Sequence, residues 1–404
     1  RWPLTPDKVR HVGDSVAAVV AEDPYIAADA LDLIEVDYEV LEATIGAKAT
    51  TENGKPLVHD EIENNISFKW GLGDRDACDK AFEEADHVVK LDLINQRLIP
   101  NAMEPRACAA QWTAATENMT VWTTSQNPHI IRFGLSAVTL PMLDEHKLRV
   151  ISPDVGGGFG SKIFHYPEEV IVPWIAKKIN RPCKWIATRS ESFMTDSQGR
   201  DHVQNCKMAL KSDGTITGLY VEIHADMGAY LSSIAPLIPT VICITLFSGL
   251  YKNPGIWGET TGTLTNTVPV DAYRGAGRPE ASFLVERLVD IAAQELDMDP
   301  IEIRRKNFIG KDEFPYQTPV AFLYDSGDYH AMFDKLEKNA DYKGMRAAQN
   351  KAKEDGRLVG IGVCGCVEAS GYGPAATVGA LGFYGGMWEH GAIRVHPTGK
   401  VSVF

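Results

Sequence analysis

Three short stretches hold the residues with most to offer chemically. "DVGGGFGSK" (154–162) sets three consecutive glycines, and a fourth two places on, just ahead of a predicted helix. Glycines let a backbone approach a ligand and turn through angles that other residues avoid. "TTSQNPH" (123–129) ends a predicted strand with the amides Gln126 and Asn127. "VDAYRGAGRPE" (270–280) places Arg274 and Arg278 around Gly275 and Gly277, again before a helix. Two familiar phosphate-binding patterns are absent. A Walker A loop needs Gly directly before Lys-Ser/Thr, whereas Lys162 follows Ser161 and precedes Ile163. A dinucleotide fingerprint started at Gly156 meets Ser161 where its third glycine belongs. Singly, each loop reads as a structural turn. Together they offer an amide side chain, many unblocked N–H groups and two guanidinium forks, a set that suits a bulky anionic cofactor rich in oxo and phosphate oxygens. The expectation is that Gln126, Gly156 to Gly160 and Arg274 to Gly277 meet in space.

Other chemistries find little support. There is no G-x-S-x-G and no H-E-x-x-H, and the eleven histidines never fall in ligand spacing. The seven cysteines are scattered with no CxxC pair, which disfavours a disulfide framework, a zinc site or an iron–sulfur cluster and fits a reducing, cytoplasmic setting. A net charge of -14 with dispersed Lys and Arg leaves no footprint for nucleic acid or an anionic membrane. The uncharged run from Met227 to Tyr251 is long enough to span a bilayer, but Pro236, Pro239 and the polar Ser232, Ser233, Thr240 and Thr245 make it a buried core segment instead.

The elements that must position these loops alternate, which predicts an α+β (mixed α/β) fold. "MTVWTTS", "KLRVIS", "PCKWIAT" and "ITGLYVEIHA" read as strands. One helix starts at Pro167, with Glu168 and Glu169 at its positive end and Lys177 and Lys178 at the other. Pro173 is expected to kink it. A second runs from Pro279 to about Leu296, with Phe283, Leu284, Leu288, Ile291 and Leu296 as its apolar face. Upstream, Val16 to Val20, a helix from Asp23-Pro24 to about Leu33, and Ile34 to Val40 read as a β-α-β unit. Thr50 to Lys55 reads as a linker, and "GAIRVHPTGKVSVF" as a hairpin. The predicted division is 1–55, 56–330 and 331–404, with both ends of the chain expected to be cut.

At this point the motifs resemble a known family. "TTSQNP", "GGGFGSK", "AYRGAGRPEA" and "DMDPIEIRRKNFI", supported by "NAMEPRACAA" (101–110) and "YDSGDY" (324–329), occur here in one order. This set is similar to the molybdenum-binding large subunit of the xanthine oxidase family, which includes aldehyde oxidoreductases, N-heterocycle hydroxylases and carbon monoxide dehydrogenases. The resemblance covers nearly the whole chain. It implies a piece of an α/β hammerhead domain, then a first cofactor-binding domain, then the start of a second.

The resemblance implies a molybdopterin, as the cytosine dinucleotide, with molybdenum held through the pterin and no direct protein ligand. Gln126 matches the glutamine beside the apical oxo ligand. Gly157, Gly158, Phe159 and Gly160 match the loop whose backbone approaches the metal ligands, and Arg274, Gly275 and Ala276 match the arginine loop beside the cofactor. The implied reaction is hydroxylation with water as oxygen source, through a metal-bound hydroxide and a glutamate base. Electrons would leave through partner subunits carrying [2Fe–2S] clusters and FAD, in a dimer of heterotrimers.

Departures from the family pattern narrow the reading. The general-base glutamate and a Gly-Gln-Gly loop belong to the second half of such subunits and are not matched here; Glu368 and Glu389 are not taken in their place. Gly275 stands where copper-containing carbon monoxide dehydrogenases carry cysteine. Ile163 and Ala276 stand where purine hydroxylases carry glutamate and phenylalanine, so a small-molecule aldehyde or a non-purine N-heteroaromatic is favoured over a purine. The competing reading is a folded scaffold without cofactor.

Overall fold

The first nine strands sort into two sheets. In the computed structural model, residues 2–139, 143–369, 375–381 and 390–403 are described; Glu389 lies outside them. In chain order the strands are β1 (Ile66–Gly73), β2 (His87–Asn95), β3 (Ala107–Thr113), β4 (Asn118–Thr123), β5 (Leu148–Ile151), β6 (Cys183–Ile186), β7 (His202–Leu210), β8 (Ile216–Asp226) and β9 (Gly255–Thr263). Five form one sheet, ordered β1-β9-β8-β7-β2, and four form another, ordered β5-β4-β3-β6.

Strand direction in the four-stranded sheet decides where the loops go. β4 and β5 are parallel, whereas β3 is antiparallel to both β4 and β6. β4, β5 and β6 therefore end at one edge, and β3 begins there. Residues 101–106, 124–127, 152–162 and 187–195 are all delivered to that edge. In the five-stranded sheet β8 and β9 are parallel and end together, Asp226 opposite Thr263, beside the start of antiparallel β7. The chain leaving β9 thus sets out toward the arginine loop alongside residues 198–201.

The helices of this part are α1 (Pro24–Leu31), α2 (Arg75–Glu83), α3 (Pro128–Gly134), α4 (Pro167–Ile179), α5 (Arg189–Thr195), α6 (Val241–Ile244), α7 (Arg278–Glu295), α8 (Pro300–Asn307), α9 (Tyr329–Ala340) and α10 (Tyr342–Glu354). α4 starts at Pro167 as expected, and the Glu169 carboxylate accepts the Tyr166 N–H at 2.9 Å, closing its first turn. It packs across β3, β4 and β6 over a core that includes Met119, Val121, Ile131 and Val172. α7 also forms where predicted, but its buried face runs through Ala281, Leu284, Val285, Leu288, Val289 and Ala292, while Phe283 is exposed. The inward stripe is thus centred on Leu and Val side chains, with Ala281 and Ala292 toward its ends, rather than on the aromatic ring.

Two upstream expectations are corrected. Residues 16–20 and 34–40 form no strands, although α1 lies between them. Their apolar alternation is present, but a strand needs a hydrogen-bonded neighbour, and among the described residues neither segment has one. Val36, Tyr38 and Val40 accordingly remain exposed. Residues 50–55 are no free linker: Thr50 is fully buried, its hydroxyl donates to the Leu264 carbonyl at 2.9 Å, and its own carbonyl accepts from Asn65.

Met227 to Tyr251 is core, with Met227, Cys243, Ile244, Phe247 and Leu250 buried, and among the described residues no helix is long and apolar enough to cross a membrane. A short pair, β10 (Tyr316–Gln317) and β11 (Leu323–Tyr324), follows α8. The chain divides into two compact units, residues 1–365 and 366–404. The second contains α11 (Ala375–Ala380) and the expected hairpin, β12 (Ile393–Val395) with β13 (Val401–Val403).

Candidate cofactor site

The shared edge of β4 and β5 brings Gln126 against the glycine loop. The Gly160 N–H donates to Gln126 Oε1 at 2.9 Å, and the Gln126 N–H donates to the Lys162 carbonyl at 2.8 Å. A backbone N–H can only donate, so the atom facing Gly160 must be the amide oxygen. Nε2 of Gln126 therefore points away from the loop, and among the described residues it has no acceptor. Two glycines are required by close approach. A Cβ on Gly158 would lie 2.3 Å from Gln126 Oε1, and one on Gly160 would lie 2.1 Å from the Ala272 carbonyl oxygen.

The arginine loop docks on the other side of the same glycines. The Arg274 N–H donates to the Phe159 carbonyl at 2.9 Å, so the three loops converge as the sequence predicts. Phe159 and Ala276 both have positive φ, 54° and 43°, a region costly for residues bearing a Cβ. Each is held there by its neighbours. Arg200 donates to the carbonyls of Tyr273 at 3.0 Å and Arg274 at 2.8 Å, and pairs with the fully buried Glu280 at 3.2 Å. Because C=O and N–H point opposite ways across a trans peptide, this turns the Gly275 N–H outward. Among the described residues the N–H groups of Gly157, Gly158, Phe159 and Gly275 have no acceptor, and the exposed Arg274 guanidinium has no partner.

Behind these loops lies a buried polar layer. Arg106 donates to Asp196 at 2.6 Å, Glu168 at 2.9 Å and Thr195 at 2.7 Å, and sits 3.7 Å from the centre of the Tyr166 ring. The Tyr166 hydroxyl donates to the Ser161 carbonyl at 2.5 Å, which carries this order into the glycine loop. Burial pushes the Glu169 carboxyl up to about 7, against hydrogen bonds from Thr123 and Tyr166 that favour its charged form. At the foot of the arginine loop burial likewise raises Asp271 to about 7, although it accepts the Ala272 N–H at 2.6 Å.

Ile163 and Ala276, separated by more than a hundred positions in sequence, share one apolar cluster with Phe164, Tyr166, Ile238 and Ala272. Both are partly buried. Sequence reasoning passed over Glu104, Lys162, Arg200 and Glu280, which set the loops' shape. Glu104 and Lys162 sit inside motifs already noted, but in separate segments 58 positions apart, so no local signal pairs them. Nothing in the spacing of Arg200 and Glu280 announces that they meet.

Residues 58–308 match the model of the molybdopterin cofactor-binding domain, and residues 1–42 match the a/b hammerhead domain of aldehyde oxidase and xanthine dehydrogenase. The carbon monoxide dehydrogenase large chain of Hydrogenophaga pseudoflava is 36% identical over 414 residues, covering 98% of this chain and 51% of the relative. The nicotine 6-hydroxylase large subunit of Paenarthrobacter nicotinovorans is 32% identical, covering 99% and 47%. The solved CO dehydrogenase from Oligotropha carboxidovorans superimposes with a TM-score of 0.93 at 33% identity, over 99% of this chain and 52% of that one. The chain spans about half the length of these relatives.

Proposed function

The chain belongs to the molybdenum-binding large subunits of the xanthine oxidase family, and we propose that it carries the cofactor-facing loops of a molybdenum hydroxylase acting on an aldehyde or an N-heteroaromatic carbon. The carrying observation is the convergence of Gln126, Phe159–Gly160 and Arg274 through hydrogen bonds of 2.8–2.9 Å. The residues fit the cofactor by the chemistry of their donors. The N–H groups of Gly157, Gly158, Phe159 and Gly275, the outward Nε2 of Gln126 and the Arg274 guanidinium, all without an acceptor among the described residues, can donate and cannot accept. Such a set suits a ligand whose periphery is oxo, phosphate and pterin oxygen. When bound, the molybdenum centre would supply a two-electron acceptor and a water-derived oxygen.

This chain's own residues bind and orient. Gln126 and the Phe159–Gly160 backbone would hold the metal-ligand side, and the Arg274–Ala276 turn would flank it. Ile163 and Ala276 would present an apolar wall to substrate. No residue here is assigned as the general base. Gly275 offers no thiolate, which disfavours copper chemistry, and the absence of a polar anchor at positions 163 and 276 disfavours purines. The cytosine dinucleotide form, the [2Fe–2S] and FAD subunits, a dimer of heterotrimers and the 1–55, 56–330 and 331–404 division form part of the same reading.

Molybdenum and pterin analysis of the full-length subunit in its assembly tests the proposal, followed by turnover of aldehydes, simple N-heteroaromatics and xanthine with an artificial electron acceptor. Bound molybdopterin with xanthine as the poorest substrate is expected. A properly matured assembly without molybdenum would establish the scaffold reading instead.

A further inference from the structure

One half-buried charge pair joins both ends of the glycine loop. Lys162 Nζ lies 2.8 Å from Glu104 Oε2, and the same oxygen accepts the Gly156 N–H at 2.7 Å. The Lys162 side chain is only 1% exposed, while that of Glu104 is 36% exposed. Burial works against the Glu104 charge, but the Lys162 ammonium and the Gly156 N–H outweigh it and hold the carboxyl below its ordinary range. Through its backbone, Lys162 also accepts the Gln126 N–H at 2.8 Å and the Ser125 hydroxyl at 3.3 Å. The loop from Gly156 to Lys162 is thus closed by its own terminal side chain, and the residue that closes it carries the Gln126 backbone.

Glu104 is itself firmly placed. Arg189 on α5 donates to the carbonyls of Ala102 at 2.7 Å and Met103 at 2.9 Å and to the Asn101 side chain at 2.9 Å. The anchor therefore reaches back to the end of β6, at the same sheet edge.

We propose that Glu104 and Lys162 are positioning residues whose ion pair sets the curvature of the glycine loop and, through it, the orientation of the Gln126 amide. This deepens the cofactor-site reading, on which its functional meaning rests, yet the loop coupling itself is measurable without cofactor. The pair is asymmetric. Glu104→Gln leaves an ammonium buried against a neutral partner, whereas Lys162→Met leaves a carboxylate that keeps Gly156 and can reach water.

Hydrogen exchange on the full-length protein reads this directly in wild type, E104Q, K162M and the E104Q/K162M double variant. Exchange in peptides covering 124–128 and 155–163 should rise about tenfold in E104Q and a few-fold in K162M. The double variant should resemble K162M rather than E104Q, since no unpaired charge remains, and peptides from β8 should not change. Residues 124–128 meet Lys162 only at its carbonyl, so a defect confined to the two charged side chains would leave them alone. In the molybdenum-loaded complex, the same variants should lose kcat with KM nearly unchanged. If E104Q does not fold, K162M and the double variant carry the test. Wild-type exchange at both loops in a folded K162M and double variant overturns the proposal, as does a rise shared equally by β8. A wild-type protein devoid of molybdenum would sink the functional reading while leaving the exchange result to stand or fall separately.

Discussion

The glycine loop and the arginine loop bend alike, but the side chains that anchor them from outside grip opposite halves of the peptide bond. Between Gly156 and Gly160 the groups gripped by side chains from outside the loop are donors: the N–H of Gly156 goes to Glu104 and that of Gly160 to Gln126. In the arginine loop the groups gripped by an outside side chain are acceptors, the carbonyls of Tyr273 and Arg274 drawn onto Arg200. The anchors differ too, since Glu104 is partly exposed whereas Arg200 and Glu280 are both buried. A loop gripped at two successive carbonyls leaves an N–H turned outward, here that of Gly275. A loop held by some of its N–H groups can offer only those between the anchors, here Gly157, Gly158 and Phe159. The two loops therefore solve one problem, presenting donors, with different tolerance for mutation.

The largest effect should come from the buried anchor. Arg200→Met would take the cation from Glu280 and the donor from the Arg274 carbonyl, leaving the Tyr273 carbonyl to the Ala276 N–H alone; breaking a buried pair from one side costs about 3–5 kcal/mol. Thermal unfolding of the full-length subunit should show a drop of many degrees. A loss below about 1 kcal/mol would mean that the arginine loop holds its shape without Arg200.

Next is the contact between the loops. Gly160→Ala forces a methyl onto the Ala272 carbonyl, a backbone atom, at a φ of +107°. Gly158→Ala meets the movable end of Gln126 instead. Gly160→Ala should reduce molybdenum per folded subunit at least about tenfold, and Gly158→Ala distinctly less. Equal retention in both would show that the loops need not touch.

How much of this was legible in the sequence depends on range. α4 and α7 were readable because caps, prolines and apolar spacing are local, and the four quoted strands because their apolar runs are short and bounded. The convergence of Gln126 with the glycine loop was inferable once strands ended at both. It became fixed only through the parallel pairing of β4 and β5, which no residue announces. Residues 16–20 and 34–40 look like strands by composition yet lack a partner among the described residues, and composition cannot supply one. Glu104–Lys162 and Arg200–Glu280 join positions 58 and 80 apart. Charge pairs at such distances are products of topology rather than of pattern.

pH probes the glycine-loop side separately. Burial raises Glu169 from its ordinary 4.5 to about 7, so its protonated form is the one the fold prefers. The stability it contributes is fully present below about pH 4.5 and is lost as pH rises through about 7. Glu169→Gln imitates the neutral acid, with one oxygen left for the Tyr166 N–H and a donor for the Thr123 hydroxyl. Between pH 5 and 8 the wild type should lose more melting temperature than E169Q, by a few degrees. Identical slopes would show that Glu169 titrates in its ordinary range.

The smallest effect tests whether the arginine loop stores strain or has it imposed. Ala276 sits at a φ of 43°, where a residue with a Cβ pays about 1–2 kcal/mol relative to the right-handed region. Ala276→Gly removes that cost. Against it stand about 0.5–1 kcal/mol for the greater freedom of glycine in the unfolded chain and roughly 0.8 kcal/mol for a methyl withdrawn from the cluster with Phe164 and Ile238. These terms nearly cancel, so the melting temperature of A276G should stay within a degree or two of wild type. Its loop should keep its shape, because Arg200 grips carbonyls that the substitution does not touch. A loss of several degrees would show that the Ala276 methyl, rather than the guanidinium, is what seats this loop against Ile163. The apolar wall would then be part of the anchor and could not be varied to change substrate without loosening the site.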